Sequence, residues 1–316
     1  MTNLKTFILL LLVVPFLFVS CNKDDDDSGP YYELIQLDLD FEAPYRINIL
    51  FQVRDNEEVG IAALTADDFL IKEDGSEVGA ESGVAITPTE SVDIEVKTLL
   101  LLDNSKSVAD NLNQIKTAAI ALVDQAPDYQ KMAVYTFSET STMLLDFSFD
   151  KVAIKSAINS IEAETGASTT NLYGALIDAS EVSMWTENFS IESIRTSNLI
   201  CFTDGDDVAG IHTLQDAQTA LVNKTIYMLG LGADLNESNM QSLGTFYSAE
   251  NIDALSTVFL DIQQDIENTA NSYYWLYYDT PKRGSNTYEL RVEIRDNSNN
   301  SSTGFILKEF KLSDFN

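Results

Sequence analysis

One histidine and two cysteines in 316 residues leave little material for several common protein chemistries. A zinc site needs clustered Cys and His ligands, but His212 stands alone and Cys21 lies far from Cys201. A Ser-His-Asp arrangement would have to use His212, and no Gly-x-Ser-x-Gly elbow accompanies it. His212 therefore reads as a surface-loop histidine. Phosphate-binding glycine loops are missing too. GLGAD at 230–234 lacks the third glycine of a dinucleotide loop, and no GxxxxGK[ST] occurs. Basic residues are scarce: 19 Lys and Arg against 50 Asp and Glu give a net charge of −31. Nucleic acid is excluded as a partner, because phosphate binding needs clustered cations. Docking on an anionic bilayer through a basic face is disfavoured for the same reason. With carboxylates this abundant, paired acids carry no information about glycosidase chemistry. The chain is read as a non-enzyme.

What is present is a globular composition. Hydrophobic residues make up 45%, enough for a sizeable core, and the length suits two domains. The acidity suits solubility outside the cell. Residues 1–20 read as a leader: Lys5 precedes FILLLLVVPFLFV at 7–19, a run too short and too interrupted by proline for a comfortable span. Ser20 then precedes Cys21. FVSC resembles a lipobox, which implies cleavage before Cys21, lipid modification of its thiol and a membrane anchor. NKDDDDSGP follows, so residues 21–30 read as a solvated acidic tether. Lys and acidic residues just after such a cysteine resemble the surface-export signal of Bacteroidetes lipoproteins. That implies an outer-membrane, outward-facing location, with a periplasm-facing one as the alternative. Cys201, in LICF, reads as a small buried hydrophobe.

Residues 31–92 are β-rich. LIQLDLDF (34–41) and YRINILFQV (45–53) alternate apolar and polar, and FLIK leads into an Asp74-Gly75 turn. From 93 to 271 strands alternate with amphipathic helices. VKTLLLL (96–102) is apolar on both faces, as a central parallel strand requires. Val108, Leu112, Ile115, Ala119 and Leu122 fall at helical spacing. Further helices are expected over 150–163, 172–185 and 213–223, and a last one carries Leu255, Val258, Phe259, Ile262 and Ile266. Strands are expected at 131–138, 142–149, 198–204, 224–232 and 246–250. This is an α/β, doubly wound, mostly parallel sheet. After 272 the chain is β again: YYWLYYD, YELRVEIRD and GFILKEFKL, with NSNNSST (297–303) as a polar turn. The simplest architecture inserts the α/β domain into a sandwich-like β domain built from segments 31–92 and 272–316. Two separate β pieces are the alternative.

Ligands in open α/β sheets bind beyond the carboxyl ends of the strands. Three polar segments should gather there: DNSKS with Asp103, Ser105 and Ser107, the STTN loop with Thr170, and FTDG with Asp204. Two carboxylates and three hydroxyls form an all-oxygen set, suited to a hard cation. Region 93–271 resembles the von Willebrand factor A domain, and these segments resemble the DxSxS…T…D pattern of its metal-ion-dependent adhesion site. Asp103, Ser105 and Ser107 match the first element, Thr170 the second, with Thr169 as a competitor, and Asp204 the third. Lys106 departs from the glycine the family often has there.

The resemblance implies a bound Mg²⁺, with Mn²⁺ or Ca²⁺ as alternatives, and an open coordination position filled by a carboxylate of a protein partner. It also implies that the last helix, 251–271, shifts when Asp204 and Thr170 exchange roles at the metal. The leading expectation is a surface lipoprotein that binds a protein or matrix ligand through the cation. A structural or assembly subunit of a cell-envelope complex is the alternative. An enzyme acting on surface polymers finds no convincing nucleophile or base in the sequence.

Overall fold

The computed structural model describes residues 29–79, 82–88, 93–165, 169–190, 193–231, 235–249, 251 and 254–315. The leader 1–20, Cys21 and tether residues 22–28 lie outside the described residues, as do 232–234 of GLGAD. Among the described residues no helix is long and apolar enough to cross a membrane.

The central sheet is built from β6 (Asp93–Asp103), β7 (Gln130–Phe137), β8 (Ser141–Ser148), β10 (Ser193–Thr203), β11 (Thr225–Leu231) and β12 (Thr245–Ala249). Its order is β12-β11-β10-β6-β7-β8, with the two-residue β9 (Asn188–Phe189) paired to β10. All neighbours along the path are parallel except β8, which runs antiparallel to β7. The leucine run of β6 explains the layers. Leu100 and Leu102 enter one core with α1 (Leu112–Gln125), α2 (Lys151–Asn159) and α6 (Leu255–Ala270). Leu99 and Leu101 enter the other, with α3 (Leu172–Ser180), α4 (Leu214–Ala220) and α5 (Glu237–Leu243). Side chains alternate across a strand, so four consecutive leucines fill two cores. The doubly wound α/β fold expected from the sequence is present.

Several boundaries differ. The helix expected from Val108 begins as a 3-10 turn over Lys106–Asn111, and α1 starts at Leu112. α3 stops at Ser180 rather than near Trp185, because the chain folds back and Trp185 Nε1 donates to the Ala179 carbonyl (2.9 Å). α2 ends at Asn159, where Ser160 Oγ takes the Ala157 carbonyl (2.7 Å). α5 was not expected: it is seven residues long and buries only Met240 and Leu243, too few for a periodic signal.

Both chain ends build a β-sandwich. One sheet has the order β1 (Glu33–Glu42), β2 (Arg46–Arg54), β13 (Tyr273–Asp279), β5 (Ala85–Pro88). The other runs β15 (Phe305–Lys311), β14 (Thr287–Ile294), β3 (Phe69–Glu73), β4 (Ser76–Glu77). Ile49, Phe51, Phe69, Tyr274, Leu290 and Phe310 share a single core between them. Asp74 and Gly75 make the expected turn with φ of 48° and 78°. β2 differs from its alternating pattern in one respect: its other face is buried as well. Leu50 packs with Ile194 and Tyr273 against the start of β10, and Gln52 Nε2 donates to Ser272 Oγ (2.9 Å). The sandwich thus closes the edge of the central sheet at which β6 and β10 begin. The polar turn 297–303 is a clamp. Asn297 Oδ1 accepts from Tyr32 N (2.9 Å), and Asn299 Nδ2 donates to the Tyr32 carbonyl and to Thr303 Oγ1.

Candidate functional site

β6 and β10 run side by side and end together, with Phe202 opposite Leu102. That register places Asp103, the last residue of β6, beside Thr203 and Asp204 at the end of β10. Asp103 has no solvent exposure. Its Oδ1 accepts from Ser105 N (2.8 Å) and its Oδ2 from Thr203 Oγ1 (2.9 Å). Ser105 Oγ lies 3.0 Å from Ser107 Oγ, and Ser107 Oγ donates to Asp204 Oδ1 (2.7 Å). Asp103, Ser105, Ser107 and Asp204 therefore form one continuous polar chain across two strand ends. Ser105 is buried beneath it, whereas Ser107 and Lys106 are exposed.

Thr170 reaches this edge by a different route. It is buried at 7% exposure, while its neighbour Thr169 is exposed. The Thr170 carbonyl accepts from Val208 N (2.9 Å) and Ala209 N (3.2 Å), which ties its loop to the segment after Asp204. Asn171 N donates to the Ser138 carbonyl (2.8 Å), and its side chain caps α3 by accepting from Gly174 N (3.2 Å). Asp207 Oδ1 accepts from Tyr173 N (3.1 Å), a second tie between the two loops. On the opposite flank Asn104 N continues the β6–β7 pairing to the Phe137 carbonyl (3.0 Å), and the Asn104 carbonyl receives Glu164 N (2.8 Å). No hydrogen bond directly links Thr170 to the four-residue chain among the described residues; the two are joined through the loop 204–209.

The electrostatics are those of an uncompensated pair. Burial pushes the Asp103 carboxyl up to about 6, the nearby charge of Asp204 adds to this, and the Ser105 and Thr203 hydrogen bonds oppose it. Burial also raises Asp204, against the Ser107 hydrogen bond. A buried carboxyl beside a half-buried one is ionised easily only if positive charge is brought to the pair. Among the described residues no three His, Cys, Asp or Glu side chains converge as a metal cluster; the set here is two carboxylates supplemented by hydroxyls. Sequence reasoning passed over Thr203, which orients Asp103 from below, and Asp207, which pins α3. Thr203 was visible as the residue before Asp204, but its role depends on strand register.

The family model described as von Willebrand factor type A domain matches residues 98–206. A comparison with curated proteins finds no match. Among solved structures, the chain is similar to proximal thread matrix protein 1 from the mussel byssus with a zinc-occupied MIDAS motif, at 18% identity and a TM-score of 0.48, covering 63% of this chain and 50% of that one. It is similar to the conserved hypothetical protein BatB from Bacteroides thetaiotaomicron at 20% identity and a TM-score of 0.47, covering 56% and 100%. A von Willebrand factor type A protein from Catenulispora acidiphila aligns at 12% identity and a TM-score of 0.48, covering 90% and 74%. The chain spans about half the length of the mussel byssus protein it matches. The similarity to the von Willebrand factor type A model thus falls on residues 98–206, inside the doubly wound α/β unit whose strand ends carry Asp103 and Asp204.

Proposed function

We propose that the protein is a binding module that holds a divalent cation, Mg²⁺ first, at the carboxyl end of β6 and β10. The supporting observation is the polar chain from Asp103 through Ser105 and Ser107 to Asp204, buried at one end and open at the other. All its side-chain donors are oxygen, two are carboxyls under strain from burial, and neither imidazole nor thiolate competes. That chemistry fits a hard cation. Asp103, Ser105, Ser107, Thr170 and Asp204 would hold it. The cation would supply local positive charge in a strongly acidic protein, and so allow a carboxylate of a protein ligand to be captured. Thr203 and Ser105 N hold Asp103 in place, while Ser107 lies at the solvent side, where a ligand arrives.

In this reading the protein is lipid-anchored through Cys21 at the outer membrane, facing outward, and is not catalytic. Exchange of Asp204 and Thr170 at the cation, with a shift of α6, belongs to the same proposal. A second reading is a structural subunit of an envelope complex, favoured by the sandwich, whose two sheets each join N- and C-terminal strands. Thermal unfolding with Mg²⁺, Mn²⁺ and chelator separates the two. Wild type should melt higher with metal, and Asp103→Ala should show no response, since a ligand of the native state alone raises its stability. Absence of any metal response in wild type would sink the cation reading and leave the structural one.

A further inference from the structure

At the end of the α/β unit opposite the candidate cation site, a cleft of about 480 Å³ lies in the seam with the sandwich. One wall is the hairpin after β2, with Arg54, Glu57 and Glu58; the other is the start of β11 and β12 together with α6. Its size is that of a small-molecule site, and seams between units are where such sites are common.

Three observations mark it as built rather than incidental. First, the floor is ordered polar surface: Tyr247 Oη donates to Asp265 Oδ2, and the Tyr227 ring stands 6.3 Å from that of Tyr247. Burial holds both tyrosine hydroxyls well above the ordinary phenol range, so they remain neutral. Second, the hairpin rim is fixed, because Asp55 Oδ1 accepts from both Glu57 N (2.8 Å) and Val59 N (2.9 Å), with Glu58 in the left-handed region at φ 64°. Third, a void of about 20 Å³ shares Thr225, Tyr227 and Thr269 with the cleft and is also lined by Asn198. Asn198 is only 5% exposed, and its Oδ1 finds no hydrogen-bond partner among the described residues. A void of this size admits a single water, which can donate to the Asn198 acceptor and continue the polar floor at the back of the cleft.

The charges select the ligand class. Glu57, Glu58 and Asp265 turn away an anion, whereas Arg54 and Lys224 on the same walls weaken the pull on a cation. Lys224 Nζ is already taken by the Ala220 carbonyl (2.9 Å) and the Trp185 ring, and Arg54 Nε by Gln52 Oε1 (2.7 Å). The acceptors that remain need hydroxyl donors, and the tyrosines offer apolar ring surface beside them. We infer that this seam is a binding site for a neutral, hydroxyl-rich ligand of the size of one or two sugar units.

The test is saturation-transfer NMR on the purified protein in chelator, which removes any contribution of the cation site. Glucose, N-acetylglucosamine and maltose are the probes, with phosphate and ethanolamine as charged controls. At least one sugar should receive saturation at millimolar concentration. Glu57→Gln should weaken it about tenfold, as loss of a hydrogen bond to a charged group does, and Tyr247→Phe about fivefold, as loss of one to a neutral hydroxyl does. Glu57 is exposed, so its variant leaves packing intact, and matching melting curves confirm that. No transfer to any sugar overturns the proposal. So does transfer to the charged controls alone, or sugar binding unchanged in both variants.

Discussion

The two ends of the strand pair β6–β10 are finished in opposite ways. At the end where they begin, Ile194 is sealed by Leu50 and Tyr273 from the sandwich, and Ile94 and Phe189 pack around them. At the end where they stop, the same two strands deliver Asp103 and Asp204, both with carboxyls raised by burial. One end gains stability by removing apolar surface from water. The other holds a buried acid, Asp103, beside a half-buried one, Asp204, at a cost in stability, and a fold tolerates such groups mainly where they serve a site.

The sharpest way to break this contrast is to place an acid at the sealed end. Leu50→Asp puts a charge without a partner into a fully buried position, and should cost more than about 4 kcal/mol, read by denaturant unfolding. The next test exploits pH at the other end. Asp103 has a folded pKa of about 6 against an ordinary 3.8. Its contribution is therefore fully present below about pH 4 and lost as pH rises through about 6. Without metal, wild type should lose about 3 kcal/mol relative to Asp103→Asn across that window. A flat difference between the two would show that Asp103 is not strained. A smaller effect is expected far from both ends: Asn299→Ala removes side-chain hydrogen bonds to Tyr32 and Thr303, and should cost about 1–2 kcal/mol, with faster hydrogen exchange confined to the N-terminal strand. The smallest belongs to Lys106, which is exposed and forms no ion pair among the described residues. Lys106→Ala should change stability by less than about 0.5 kcal/mol.

Much of the α/β unit was legible in the sequence because its signals are local. Four leucines before Asp103 can serve only a strand covered on both faces, and Leu172, Ala175, Leu176 and Ala179 mark a helix by spacing alone. The residues of the polar chain were legible through their spacing and their position after apolar strands. What escaped depends on partners distant in sequence. The Thr203 hydrogen bond to Asp103 spans 100 positions, and that of Gln52 to Ser272 spans 220. β2 reads as a half-exposed strand because nothing near it in sequence announces that the start of β10 will cover its second face. Asn297 and Asn299 read as a polar turn for the same reason, since their partner is Tyr32.

The parallel register of β6 and β10, from Asp93 beside Ser193 to Leu102 beside Phe202, has a mechanical consequence. A ligand held as proposed at Asp103 and Asp204, and a frame held at the sandwich, would grip the same two strands at opposite ends, roughly 35 Å apart for an eleven-residue strand. Tension between them would run along the covalent backbones of both strands together, without sliding β6 against β10 or peeling their hydrogen bonds one at a time. In the proposed reading, a pull along the axis that joins the two differently finished ends falls on two parallel backbones at once.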